Sequence, residues 1–173
     1  MTYHHDEREH LHAELLELLR HIDFGGRYFQ YYETLINRSR RDDHSISSDD
    51  FAKILAETGL PFRYFRREKF FGYIERRRGY DIFLHTIPRR SATEFALYLS
   101  TRPGVIGGPW SILSQQLLRG SHSEVEYFHE SRNLPFSSDE TLHQIAHFGV
   151  ALFRQAREVI CPYFDGLSDA ADS

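Results

Sequence analysis

Apolar residues recur along this chain with two different periods. Leu11, Leu15, Leu18, Leu19 and Ile22 fall on one helical face with charges elsewhere, which predicts an amphipathic helix over roughly His5 to Ile22, ended by Gly25-Gly26. Tyr28, Tyr31, Tyr32, Leu35 and Ile36 repeat the helical spacing and predict a second helix. A charged connection follows from Asn37 to Ser47. Ser47-Ser48-Asp49-Asp50 then supplies capping groups and acids for a short helix carrying Phe51, Ile54 and Leu55, closed by Gly59 and Pro61.

Between Phe62 and Ser100 the period drops to two. Three aromatic-rich runs, Phe70–Ile74, Tyr80–Ile87 and Thr93–Ser100, are separated by Arg78-Gly79 and by Pro88–Ser91. Ile82, Leu84 and Thr86 fall on one face, and Phe83, His85 and Ile87 on the other. Links this short predict an antiparallel meander, because parallel pairing needs long crossovers. Pro103 to Trp110 reads as a turn that delivers Pro109 to the first position of a helix running to Gly120. Ser137 and Glu140 form a capping box for a last helix with Leu142, Ile145, Ala146, Gly149, Phe153, Ala156 and Ile160 on one stripe. Pro162 is expected to end that helix, leaving 167–173 as a disordered tail. The sum is an α+β fold in one domain over 1–166: N-terminal helices, a central antiparallel meander, and C-terminal helices packed on the sheet.

Composition refines this picture in three ways. The 173 residues include 14 Phe, 10 Tyr and 1 Trp, so the core is built on rings, with some Tyr available for an interface. A single cysteine, Cys161, excludes an internal disulfide; with no signal-like N-terminus and no membrane-length apolar run, the expected location is the cytoplasm. Charge is unevenly spread: residues 61–90 carry 9 Lys/Arg against 3 Asp/Glu, flanked by acidic ends with 7 against 12 over 1–60 and 4 against 9 over 119–173. Internal neutralisation, an anionic partner for the middle and a basic partner for the ends all fit that distribution.

No complete catalytic, metal or cofactor motif is present. His143-Gln144-Ile145-Ala146-His147 places two histidines four apart on a helix, but Gln144 stands where a zinc protease needs a general-base Glu. His4, His5, His10 and His12 crowd one terminus among acids, as expected of a solvated helix start. His85 lies mid-strand among aromatics. Ser111 and Ser114 follow a glycine-rich turn that lacks the nucleophile-elbow pattern, and Gly104-Val105-Ile106-Gly107-Gly108 lacks the lysine of a phosphate loop. Cys161, near a helix C-terminus, is expected to be a buried structural thiol. The basic stretch with Arg63, Arg66, Arg67, Lys69, Arg76, Arg77, Arg78, Arg89 and Arg90 is interleaved with rings, a composition that suits single-stranded nucleic acid, although Arg76-Arg77-Arg78 falls at a predicted turn.

Two stretches, Gly107–Leu113 after the meander and Asn133–Glu140 opening the last helix, together with size, acidic balance and layout, give the chain a resemblance to the small cytoplasmic immunity proteins of bacterial polymorphic and contact-dependent toxin systems. The resemblance implies a non-enzymatic scaffold that binds and neutralises a cognate toxin, without cofactor or metal. On that reading Glu124, Glu126 and Glu130 beside Tyr127 and Phe128, with Asp139 and Glu140 nearby in sequence, form the partner-binding surface: carboxylates speed the encounter and rings supply affinity. Two other readings stand beside it. One is a small-molecule enzyme with a pocket at the central sheet around His85; the other is a nucleic-acid-binding protein using the basic segment 61–90.

Overall fold

The structure, a computed structural model, describes residues 3–38, 44–119 and 133–171. Three helices come first: α1 (Tyr3–His21), α2 (Phe24–Arg38) and α3 (Ser48–Glu57). Strands β1 (Arg63–Phe65), β2 (Phe70–Arg77), β3 (Tyr80–Arg89), β4 (Ala92–Thr101) and β5 (Gly104–Pro109) lead into α4 (Trp110–Leu118), β6 (Leu134–Pro135) and α5 (Asp139–Ala171). The sheet is an antiparallel meander in the order β1-β2-β3-β4-β5, and β6 pairs with the start of β4 beyond the end of β5. The α+β layout read from the alternating pattern is therefore the observed one.

All described helix–sheet ring contacts lie on one face. Phe71 meets Phe51 of α3, Tyr73 meets Phe153 and Tyr80 meets Phe164 of α5, and Phe95 stacks on Trp110 of α4. These residues alternate with the strand period and line up across the register Tyr73↔Leu84↔Leu97. The core fills the space between this face and the helices, with Ile82, Leu84, Leu97 and Leu99 fully buried beneath Leu142, Ile145, Phe153 and Ile160. At the far edge, α1 closes β5: the Gly107 N–H donates to His12 Nδ1 at 3.3 Å, and His12 Nε2 lies 3.3 Å from Gln116 Oε1. His12 is thus part of a sheet-edge contact rather than of a solvated terminus.

Four local expectations are corrected. Gly25-Gly26 do not stop α1; they lie in the first turn of α2, and the break falls at Asp23 with φ 51. The glycine serves helix packing there, since a Cβ on Gly25 would stand 3.0 Å from Leu117 Cβ. The segment Gly104–Pro109 is a strand, not a turn, because Ile106 takes a core position opposite Leu99 and Pro109 precedes the helix at φ -55, ψ 140. The α5 cap is one residue later than expected: the Thr141 N–H donates to Ser138 Oγ at 3.1 Å. Finally, Pro162 lies inside α5. The single backbone bond that proline removes is outweighed by packing, for Phe164 beyond it is buried against Tyr80 and Asp165 pairs with Arg77.

Candidate functional site

The opposite face of the sheet carries the feature that stands out. Strand alternation sends Phe65, Phe70, Ile74, Arg76, Phe83, His85, Tyr98 and Val105 to the side away from the core; α1 borders this side at the β5 edge, where Arg8, Glu9, His12, Ala13 and Leu16 share a groove with Val105. One ring from each of four adjacent strands joins a row. Phe65 stacks on Phe70 at 4.7 Å and 14°, Phe70 on His85 at 4.3 Å and 29°, and His85 leans on Tyr98 at 5.3 Å and 56°. The row forms because the positions beneath it are small. His85 pairs with Gly72 on one side and Ala96 on the other, and a Cβ on Gly72 would stand 2.9 Å from Phe65 and 3.1 Å from Phe70. Ile74 and Val105 flank the row at 41% and 57% exposure.

This geometry fixes what the row presents to solvent. Phe70 has Phe65 on one side and His85 on the other, so its faces are spent and its edge points outward. Ring edges carry the positive end of the aromatic quadrupole. The surrounding charge is mostly of the same sign: Arg63, Arg66, Arg67, Lys69 and Arg76 are exposed around the β1–β2 end of the face, against Glu68 and Asp81, the latter in register with Arg76. The Arg76-Arg77-Arg78 run is divided by strand alternation. Arg76 joins the open face, while Arg77 turns to the helix layer and pairs with Glu75 and Asp165, and Arg78 pairs with Asp169.

His85 has ring contacts only, with Phe70, Phe83 and Tyr98, among the described residues. Burial under these rings holds its pKa below the ordinary 6.5, so it is neutral at pH 7. None of the grooves of 390, 650 and 420 Å³ is lined by it. An imidazole with neither a carboxylate nor a hydroxyl at hydrogen-bond distance has no partner to orient it for proton transfer. The sign of its linkage is testable. A folded-state pKa below the unfolded one means stability is fully present above pH 6.5 and is lost as the pH falls through the lower folded value. Chemical melts taken between pH 8 and about 5 are expected to show that loss, and His85→Phe is expected to reduce it.

A second polar cluster lies under β2 on the helix side. Glu75 accepts from Arg157 at 2.9 Å and Arg77 at 2.7 Å, Arg77 reaches Asp165 at 3.1 Å, and the Tyr80 hydroxyl donates to Asp165 at 3.1 Å. Hydrogen bonds from Arg157 first, and Arg77 next, outweigh burial and pull Glu75 down to about 2. Burial pushes the Tyr80 hydroxyl up, and Asp165 is lowered chiefly by its bond from Arg77. No member of this set changes charge near neutrality, so it ties α5 to the sheet instead of moving protons.

The remaining candidates are dispersed. Asp139 and Glu140 are exposed in the first turn of α5, where Asp139 pairs with His44 at 2.8 Å; Glu124, Glu126, Tyr127, Phe128 and Glu130 lie outside the described residues. His143 pairs with Glu57 at 3.2 Å, His147 is exposed, and His5 pairs with Glu9 at 3.1 Å. Ser111 and Ser114 are buried at 3% and 0%, closed to any substrate as nucleophiles, and Cys161 is buried. The open aromatic face escaped sequence reasoning, although its signal was present: Phe83, His85 and Ile87 make the second face of β3 as apolar as the first.

The chain matches no protein-family model, and neither a curated protein nor a solved structure shows significant similarity to it.

Proposed function

We propose that this chain is a non-enzymatic binding protein that neutralises a cognate toxin by seating it on the open face of the sheet. The observation that carries the reading is the ring row Phe65-Phe70-His85-Tyr98 on the sheet face away from the core, flanked by exposed Ile74 and Val105. Apolar and aromatic surface ringed by charge is the anatomy of a protein interface. The resemblance in size and layout to immunity proteins supports the toxin as partner. The reading moves the interface from the acidic segment expected around Glu124–Glu140 to the sheet. Single-stranded nucleic acid is the weaker alternative, because base stacking needs ring faces and those of Phe70 are occupied by its neighbours.

Photo-crosslinking amino acids placed at Val105 and Ile74, with Lys53 and Glu158 on the helix side as controls, test this in cells of the organism that encodes the chain. All four positions are exposed. The expected result is one protein captured from the sheet positions only, carrying a toxic activity that the chain suppresses. Equal capture from the helix side, or none from the sheet, contradicts it.

A further inference from the structure

The outer edge of β2 is paired for less than half of its length. β1 covers Phe70, Phe71 and Gly72, and among the described residues no strand lies outside Tyr73–Arg77. The cause is Pro61. Continuing the β1 register backward sets Phe62 opposite Tyr73 and Pro61 opposite Ile74, where a proline has no N–H to give. The Phe62 N–H instead donates to the Leu60 carbonyl at 2.9 Å, and the chain turns away toward α3.

Which groups face the open edge follows from the hairpin. The Lys69 N–H donates to the Phe65 carbonyl at 2.8 Å, so Phe65 and Phe70 exchange hydrogen bonds, as do Arg63 and Gly72. Alternation then points the N–H and C=O of Ile74 and Arg76 outward, away from β3. Beside this edge runs a groove of 650 Å³ lined by Arg63, Tyr64, Phe65, Tyr73, Ile74 and Arg76. Its lining holds two guanidiniums and no carboxylate, and neither Arg63 nor Arg76 has a salt-bridge partner among the described residues.

Resting on the proposed partner-binding function, we propose that the edge of β2 over Tyr73–Arg77 takes an extended acidic segment of the protein partner as an added strand. The partner backbone pairs with Ile74 and Arg76, its carboxylates on the open-face side meet Arg63 and Arg76, and its alternate, apolar positions turn to the side of Tyr64 and Tyr73. A second copy of this chain is the wrong occupant. Edge-to-edge pairing would bring together two copies of the same edge, each carrying Arg63 and Arg76 in a groove without a carboxylate, and like charges brought close across a strand pair are destabilising. A nucleic-acid strand satisfies the guanidiniums but not the outward amides.

The test uses the full ¹⁵N-labelled chain with a peptide of alternating Glu and Val, a matched Lys–Val peptide and oligo(dT) as probes. The expected result is that Glu–Val alone shifts the Ile74 and Arg76 amide signals and protects them from exchange. Ile74→Pro is expected to weaken the Glu–Val complex about tenfold more than Ile74→Ala, which keeps the N–H. An outward-facing edge position tolerates proline. If Ile74→Pro nonetheless fails to fold, the wild-type amide measurement stands alone. No saturable Glu–Val binding, equal losses in the two folded variants, or protection by oligo(dT) instead overturns the inference. Loss of the edge result with sheet-face crosslinking from Val105 intact rejects the added strand while leaving the proposed function standing.

Discussion

Trp110→Ala is expected to destabilise the protein by about 3–5 kcal/mol, seen as a fall of roughly 10 °C in Tm for a chain of this length. Trp110 is fully buried where β5 hands over to α4. It stacks on Phe95 at 4.9 Å and meets Phe24 edge-on at 5.0 Å and Tyr28 at 6.2 Å, so one side chain joins β4, α2 and α4. The void left by alanine stays open, because the rings around it belong to elements anchored by their own contacts. Trp110→Phe is expected to cost far less. It keeps the ring contact and deletes an indole N–H that has no acceptor among the described residues. Thermal and urea unfolding of both variants check the pair; a Trp110→Ala loss below about 1 kcal/mol would mean the helices are not held to the sheet through this cluster.

The double variant Ile74→Asp, Val105→Asp is expected to do the reverse, leaving the fold nearly intact and removing partner binding. Both side chains are exposed, Ile74 at 41% and Val105 at 57%, so the change is expected to cost stability about 1 kcal/mol. On the partner side the loss is large. Each substitution puts a carboxylate into the apolar part of the proposed interface, where a central residue is worth about 2 kcal/mol or more. The two together predict a loss of affinity of more than about a hundredfold. A melting curve and a binding titration on the same preparation separate these effects. Reduced binding with a melting loss of several kcal/mol would assign the two residues to folding.

The legible and illegible parts of this molecule differ by a physical rule. Local period marks an element well when its apolar side is buried once, as in α2, α3 and the strands β2 to β4. It marks poorly what depends on distant packing. Gly25 looks like a helix stop until Leu117 approaches it, Gly104–Pro109 looks like a turn until Leu97 and Leu99 pair with it, and Pro162 looks like an end until Tyr80 and Arg77 hold the following turn. The candidate site belongs to the second class. Its rings meet diagonally across four strands, above Gly72 and Ala96, and those small residues carry no signal until the register is known. The basic composition of 61–90 was visible from the start, but only alternation divides it into a solvent-facing Arg76 and a core-facing Arg77.

The central claim is that the open sheet face binds and inhibits a toxin without chemistry. The measurement that bears on it most directly is a calorimetric titration of the toxin domain captured from Val105 into the wild-type chain and into Ile74→Asp, Val105→Asp, with toxin activity read in parallel. The account predicts a one-to-one complex with suppressed activity for the wild type, and neither for the folded double variant. Equal affinity for both proteins, or inhibition that proceeds by turnover instead of stoichiometric binding, would contradict it.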